Sequence, residues 1–175
     1  MKSAKFVVTL CLAGATVPSL AAAGSEIATM ARDAPVAQVN AMMDDWHKAA
    51  ASADEARYFS HFAPDGVFLG TDATERWNRD EFRQWARPYF AKGKAWTFKA
   101  VKRHVSVSRD GTTAWFDEVL DTPNLGPARG SGVLVWDGKT WKIVQYNLSV
   151  PIPNDIFPDV KKLIDAAAKA PKPGK

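Results

Sequence analysis

Residues 129–149 constrain the fold of this 175-residue chain more than any other stretch. Two runs rich in β-branched and aromatic residues flank Asp137-Gly138, which is the strongest short-range signal for a β-hairpin. Because side chains alternate along a strand with a period of two, the second run is expected to place four side chains on one face. These are Trp141, Ile143, Gln145 and Asn147. An apolar row that ends in two amides suits the wall of a ligand pocket.

The amino terminus has the pattern of a secretory signal peptide. Two lysines precede an uncharged apolar run at residues 6–17, and Pro18 is followed by small residues up to Ala23. A basic start, a short apolar run and a small-residue cleavage site are typical of such signals, and the run is too short to span a membrane. We therefore expect cleavage after residues 1–23, a periplasmic or secreted protein, and no membrane partner after the signal is removed.

Cysteine content and charge exclude several classes of site and partner. The only cysteine, Cys11, lies in the predicted signal, so the mature protein is expected to have no disulfide, cysteine nucleophile or thiolate metal site. The formal net charge is +4, of which Lys2 and Lys5 supply two. Most remaining basic residues alternate with acidic ones, whereas nucleic-acid binding needs a concentrated basic stripe. We expect no nucleic acid partner.

The first half of the mature chain has helical periodicity. Residues 24–34 are predicted to be a flexible segment, and residues 35–156 to be one domain, as a mature length of about 150 residues suggests. Apolar positions recur at helical spacing over residues 36–62, with a break where Asp54 is a plausible cap for a second helix. Asn78 is expected to cap a further helix that ends near Phe90.

The second half is predicted to be an antiparallel meander. Four strand-like segments cover residues 96–108, 113–121, 128–136 and 140–149. Helices followed by such a meander make an α+β domain. Residues 157–170 repeat apolar side chains at helical spacing and are expected to dock on this domain, whereas residues 171–175 are expected to be disordered.

The order of these segments resembles the nuclear transport factor 2-like superfamily, and within it the SnoaL-like branch. The resemblance covers about residues 36–156 and rests on the segments FAPDGVFLGTDATERW, AWFDEVLD, RGSGVLVWDG and TWKIVQYNLSVPIPND. It implies a cone: a strongly curved antiparallel sheet wrapped around the N-terminal helices, with an internal cavity. It also implies a homodimer formed through the outer face of the sheet. It does not imply one activity, because such folds carry many functions.

The candidate catalytic residues are Asp117, Glu118 and His104. Asp117 and Glu118 are adjacent, so a regular strand turns only one of them into the cavity, and the sequence leaves open which one. Both faces of this strand are largely apolar, and burial would raise the pKa of an inward carboxyl group towards the range of a general base. His104 could then move a proton near neutral pH. The alternative is a structural ion pair between the inward carboxylate and Arg129.

Aromatic and polar side chains supply the candidate ligand-binding residues. They are Trp46, Tyr58, Trp77, Trp115, Arg129, Gln145 and Asn147. Tryptophans around a cavity favour flat or ring-bearing ligands. His47 and His61 lie on predicted helices and show no pairing by their spacing. No cluster of histidines or carboxylates indicates a metal site, and no cofactor is expected.

The sequence is compatible with three functions. The protein could bind a small apolar or aromatic molecule without transforming it. It could be an isomerase, dehydratase or cyclase in which Asp117 or Glu118 is the base and Gln145 or Asn147 polarises a carbonyl group. It could also be a dimeric association module with a vestigial cavity.

Overall fold

The computed structural model describes residues 20–169, with side chains from residue 34 onward. The predicted tail 171–175 and most of the predicted signal peptide lie outside these residues. The α+β fold class predicted from the sequence is confirmed. The chain begins with helices and continues into a curved sheet. None of the helices in the described part of the chain is long and apolar enough to cross a membrane.

Three helices form the first layer. They are α1 (Leu20–Ala51), α2 (Glu55–Ser60) and α3 (Arg79–Phe90). The predicted caps are confirmed, since the Asp54 side chain accepts from the Arg57 N–H and Asn78 forms a capping box with Glu81. Helix α1 includes residues 24–34, for which the sequence predicts a flexible segment.

Six strands form the sheet. They are β1 (Phe62–Leu69), β2 (Arg76–Asn78), β3 (Lys99–Val107), β4 (Thr113–Thr122), β5 (Gly126–Trp136) and β6 (Trp141–Ser149). Their order is β2-β1-β6-β5-β4-β3, so the sheet is open, and only the β1–β6 pair is parallel. Register shifts in β1, β3 and β6 interrupt the ladder, and such bulges bend the strands that contain them.

The core lies between the helices and the inner face of the sheet. Along β4 the burial alternates strictly, and Phe116, Glu118 and Leu120 point inward. Helix α1 contributes Met43 and Trp46 to the same core. Packing of this kind fixes which side of every strand can reach an interior site.

The last helix, α4 (Phe157–Lys169), does not dock as expected. None of its residues is buried, and Phe157, Leu163 and Ile164 are exposed by 51%, 71% and 56%. Only Val160 is partly buried. The few apolar side chains of this short helix therefore add little to the core of the domain.

Candidate functional site

An aromatic pocket of about 230 Å³ opens at the end of the sheet where β1, β2 and β6 meet the chain on either side of α3. Six aromatic rings line it: Phe68, Trp77, Phe82, Trp85, Trp96 and Phe98. Gly70, Thr71 and Glu75 come from the β1–β2 loop, Asn124 and Leu125 from the β4–β5 loop, and Leu148 from β6. The pocket is therefore apolar, with a few polar groups at its edge.

The rings of this pocket lie in nearly parallel layers. Phe68 stacks on Phe82 with ring centroids 4.0 Å apart and planes at 16°. Trp77 lies at 11° to Phe82 and stacks on Trp85 at 5.0 Å. The Asn78 cap produces this arrangement, because it starts α3 directly after Trp77 and puts Phe82 and Trp85 on one helix face. Parallel ring walls suit a flat ligand.

Among the residues that the structure describes, Glu75 is the one charged residue in the pocket lining. Its carboxylate lies over Gly70, where an added Cβ would overlap with Glu75 Oε2 and lie 2.9 Å from Glu75 Cδ. Oε2 accepts a hydrogen bond from the Asp72 N–H at 3.2 Å. Within the part of the chain that the structure describes, Glu75 makes no ion pair and its Oε1 accepts no hydrogen bond.

A second polar group, the buried carboxylate cluster, consists of Glu118, His47, Arg103 and Tyr146. Glu118 is 0% exposed. Its Oε1 lies 2.8 Å from His47 Nε2 and accepts from the Tyr146 hydroxyl at 3.2 Å. Its Oε2 accepts from Arg103 Nε at 2.8 Å. Both carboxylate oxygens are thus engaged.

The strands and helix α1 position this cluster directly. Arg103 and Glu118 are register partners on β3 and β4, and Gly130 faces Glu118 from β5. A Cβ at Gly130 would overlap with the Tyr146 hydroxyl and lie 2.7 Å from Glu118 Oε1. Only glycine leaves room here for the tyrosine and the carboxylate to meet.

The electrostatics of the cluster keep Glu118 ionised. Burial would raise the pKa of its carboxyl group, but the hydrogen bonds and charges of His47 and Arg103 outweigh burial and lower that pKa below its usual value. Burial and the neighbouring Glu118 charge raise the pKa of Tyr146 well above its usual value. A carboxylate with a lowered pKa and two occupied oxygens is a poor general base near neutral pH.

One layer of rings separates the cluster from the pocket. His47 packs edge-on against Phe98 at 6.0 Å, and Tyr146 stacks on Phe68 at 5.6 Å. Phe98 and Phe68 are pocket residues, whereas no member of the cluster lines the pocket. The arrangement therefore combines an aromatic pocket with a closed ionic cluster behind its wall.

The structure resolves which carboxylate of the adjacent pair points inward. Glu118 does, and Asp117 lies on the outer face with its side chain 59% exposed. There Asp117 Oδ1 is 3.4 Å from Nδ1 of His104, which is 61% exposed. The predicted catalytic residues therefore do not form one site. Arg129 faces Val119 on the outer face, so the structural ion pair predicted for the inward carboxylate forms with Arg103 instead.

The predicted common face of β6 is wrong beyond Ile143. The register with β5 shifts by one residue there, because Val133 pairs with Gln145 and Leu134 with Ile143. The extra residue forms a bulge that turns Tyr146 inward and leaves Gln145 exposed and Asn147 partly buried on the outer face. Neither amide lines the pocket.

The predicted aromatic ligand residues divide among three places. Trp77 lines the pocket. Trp46 and Tyr58 are fully buried in the core and stack on each other at 4.9 Å, and burial raises the pKa of Tyr58 well above its usual value. Trp115 lies on the outer face and is 49% exposed.

The sequence analysis did not select Arg103 as a site residue, although the residue pattern of β3 indicates that its side chain points inward. Arg103 shares the parity of Val105 and Val107 on β3, so it lies on an apolar face, where an arginine needs a partner. Glu118 likewise alternates with apolar residues on β4. The two signals together indicate a buried pair. Among the residues with described side chains, no group of three or more histidines, cysteines or acids is placed to hold a metal ion.

The strand order, the long first helix and the pocket beside α3 define a nuclear transport factor 2-like fold. A nuclear transport factor 2-like protein of unknown function from Pseudomonas putida has 13% identity and a TM-score of 0.58, covering 68% of this chain and 88% of its own. A protein of Streptomyces avermitilis, provisionally assigned as a dehydratase of this family, has 19% identity and a TM-score of 0.59, covering 69% and 99%.

A third structure, from Parabacteroides distasonis and provisionally assigned as a ketosteroid isomerase, has 17% identity and a TM-score of 0.52, covering 66% of this chain and 86% of its own. These identities establish a shared fold. The family follows from the sequence itself: the SnoaL-like domain profile matches residues 39–153, and the chain belongs to that family. No curated protein matches the sequence.

Proposed function

We propose that this SnoaL-like protein binds a small, ring-bearing, largely apolar molecule in the aromatic pocket and does not transform it. The observation that carries the proposal is the wall of six aromatic rings, separated by a ring layer from the buried carboxylate cluster. Stacking on such walls provides affinity without any reacting group.

The size of the pocket narrows the ligand. A volume of about 230 Å³ lies below the roughly 300–1,000 Å³ of pockets that hold drug-sized molecules. The nearly parallel rings of Trp77, Phe82 and Trp85 favour a flat shape. A molecule with one ring fits both observations better than a polycyclic one.

An enzyme of the isomerase or dehydratase type is the second candidate. It is favoured by the contact of His47 with Glu118 at 2.8 Å, since a histidine and a carboxylate one ring behind a pocket are suitable for proton transfer. It ranks lower because Glu118 is 0% exposed and both its oxygens are engaged. A turnover that Glu118→Gln abolishes while ligand affinity persists would establish it.

Native mass spectrometry of protein purified from its own host tests the binding proposal. We expect a bound small molecule on the wild type, lost in Trp77→Ala and kept in Trp115→Ala, because Trp77 lines the pocket and Trp115 does not. Incubation should leave both the mass and the proton NMR spectrum of the released molecule unchanged, since an isomerase would alter the spectrum without altering the mass. Equal retention by both variants, or a ligand converted into a product, would contradict the proposal.

We also propose that the partner of this chain is a second copy, bound through the outer face of the sheet. Trp115 and Val119 are exposed by 49% and 43% on β4, and Val119 lies beside Arg129 of β5. An exposed tryptophan and valine on a strand favour burial against another surface. Light scattering should give a dimer mass for the wild type and a monomer mass for Trp115→Glu; a monomeric wild type would contradict this.

Export completes the proposal, and its support is the signal pattern of residues 1–23. Protein recovered from the periplasm or the medium should have the mass of a chain that begins at Gly24 and should contain no thiol. A full-length mass in that fraction would contradict cleavage, and recovery only from the cytoplasm would contradict export.

A further inference from the structure

From the lining of the pocket we infer that its ligand carries a positive charge, and that Glu75 and the faces of the pocket tryptophans recognise this charge. The inference rests on the proposed binding function and names the chemical class of the ligand: a flat, one-ring organic cation such as an aromatic ammonium compound.

The lining of the pocket favours a positively charged ligand. Glu75 is negative, and no lysine or arginine from the described part of the chain lines the pocket. A neutral apolar ligand gains nothing from a carboxylate beside it, and an anionic ligand is repelled by one. A cation gains a charge-assisted hydrogen bond or ion pair, which is stronger than a contact between neutral groups.

The Glu75 carboxylate is available to bind a ligand. Its Oε2 is used by the Asp72 N–H, which closes the β1–β2 loop. Among the described residues, Oε1 accepts no hydrogen bond and no cation pairs with the carboxylate. Gly70 lets the carboxylate lie against the backbone, because any side chain at this position would overlap with it. The loop thus holds a negative charge at the pocket that no described cation neutralises.

The aromatic lining of the pocket is also suited to a cation. Trp77, Trp85 and Trp96 all belong to it, and tryptophan is the side chain whose ring face attracts cations most strongly. Aromatic walls recognise ammonium groups in proteins, and a carboxylate beside such a wall adds a charge-assisted contact. A ring on the same ligand would stack on the parallel walls while its ammonium group faces Glu75.

Three probes of similar size separate charge recognition from simple burial of a ring. They are benzylammonium, which is cationic at pH 7, benzyl alcohol, which is neutral, and benzoate, which is anionic. Calorimetric titration of the wild type should give a dissociation constant for benzylammonium about tenfold or more below that for benzyl alcohol. Benzoate should bind more weakly than either. The preference for benzylammonium should shrink when the salt concentration rises.

Two variants assign the effect to Glu75. Glu75→Gln should weaken benzylammonium binding by about fivefold to tenfold and change benzyl alcohol binding by less than about twofold. Asp121→Asn, an exposed acid of β4 that does not line the pocket, is the matched control and should change neither.

The outcomes distinguish this inference from the proposed function. Equal affinities for benzylammonium and benzyl alcohol, or an unchanged preference in Glu75→Gln, would overturn the inference and leave the binding proposal standing. If none of the three probes binds the wild type, both are overturned. A tenfold preference that is lost only in Glu75→Gln supports both.

Discussion

Glu118 and Asp117 are neighbours in sequence and lie in opposite environments. Glu118 is 0% exposed and bound by His47, Arg103 and Tyr146. Asp117 has a 3.4 Å contact with an exposed histidine. Removing the negative charge should therefore change the free energy of unfolding much more at Glu118 than at Asp117.

Glu118→Gln should lower the free energy of unfolding by about 1–3 kcal/mol, because it removes the buried counter-charge of the Arg103 guanidinium, which then keeps only its ion pair with the exposed Asp44. Asp117→Asn should change it by less than about 0.5 kcal/mol, as expected for a surface position. Urea denaturation of both variants measures this difference. Equal losses would show that the buried carboxylate cluster does not stabilise the fold.

The pH dependence of stability follows from the lowered pKa of Glu118. Because folding favours its ionised form, its contribution is present above the ordinary pKa of 4.5 and is lost as the pH falls through the folded-state pKa. The free energy of unfolding should fall in this acid range, and Glu118→Gln should flatten the profile. Asp45, whose pKa is lowered to about 2 by its hydrogen bond with Arg57, remains in both proteins as a background. Parallel pH profiles for the wild type and Glu118→Gln would contradict the assignment of this pH dependence to Glu118.

Residue-level prediction from the sequence succeeded where parity alone decides and failed where register decides. Parity showed that only one member of the Asp117-Glu118 pair could point inward. The choice between them depends on which face of β4 meets α1, and strand periodicity does not contain that information. Arg103 was missed although its parity with Val105 and Val107 places it on an apolar face, and the β3–β4 register then confirms Glu118 as its partner.

At the scale of elements, Gly130 allows three strands to meet at the buried cluster. Gly130→Ala should lower the free energy of unfolding by about 1–3 kcal/mol, because its Cβ would overlap with the Tyr146 hydroxyl and crowd Glu118. Equilibrium unfolding measures the loss. In a Tyr146→Phe background the cost of Gly130→Ala should be smaller, since the hydroxyl is gone. An equal cost in both backgrounds would contradict this packing.

The elements themselves were predictable to the extent that local signals fix their ends. Helix α3 runs from Arg79 to Phe90 as predicted, because Asn78 and Glu81 form a cap that depends on local sequence. Strand β2 was missed, since three residues carry almost no periodicity and form a strand only by pairing with β1. The bulge in β6 was also missed, and it moved the predicted polar wall of the pocket to the outer face.

At the scale of the whole molecule, the family resemblance predicted the architecture, which local patterns alone would have left as an unspecified α+β fold. It did not predict the pocket lining, because Phe68, Trp85 and Trp96 come from β1, α3 and the following loop and meet only in the folded chain. The docking of α4 was a reasonable expectation from its apolar spacing, but its apolar side chains remain exposed.

The central claim is that the aromatic pocket is where a ligand binds. Six of the seven tryptophans of the chain are placed so that one measurement tests it; the seventh, Trp46, is buried in the core. Trp77, Trp85 and Trp96 line the pocket, whereas Trp115 lies on the outer face of the sheet and Trp136 and Trp141 form a pair at the β5–β6 turn.

The measurement is a pair of titrations, with benzylammonium and with benzyl alcohol, followed by the indole N–H signals in a proton–nitrogen NMR spectrum and assigned by single Trp→Phe variants. We expect saturable shifts at Trp77, Trp85 and Trp96, with Trp115, Trp136 and Trp141 unchanged. Shifts confined to the latter three, or no saturable shift at any indole, would contradict the central claim.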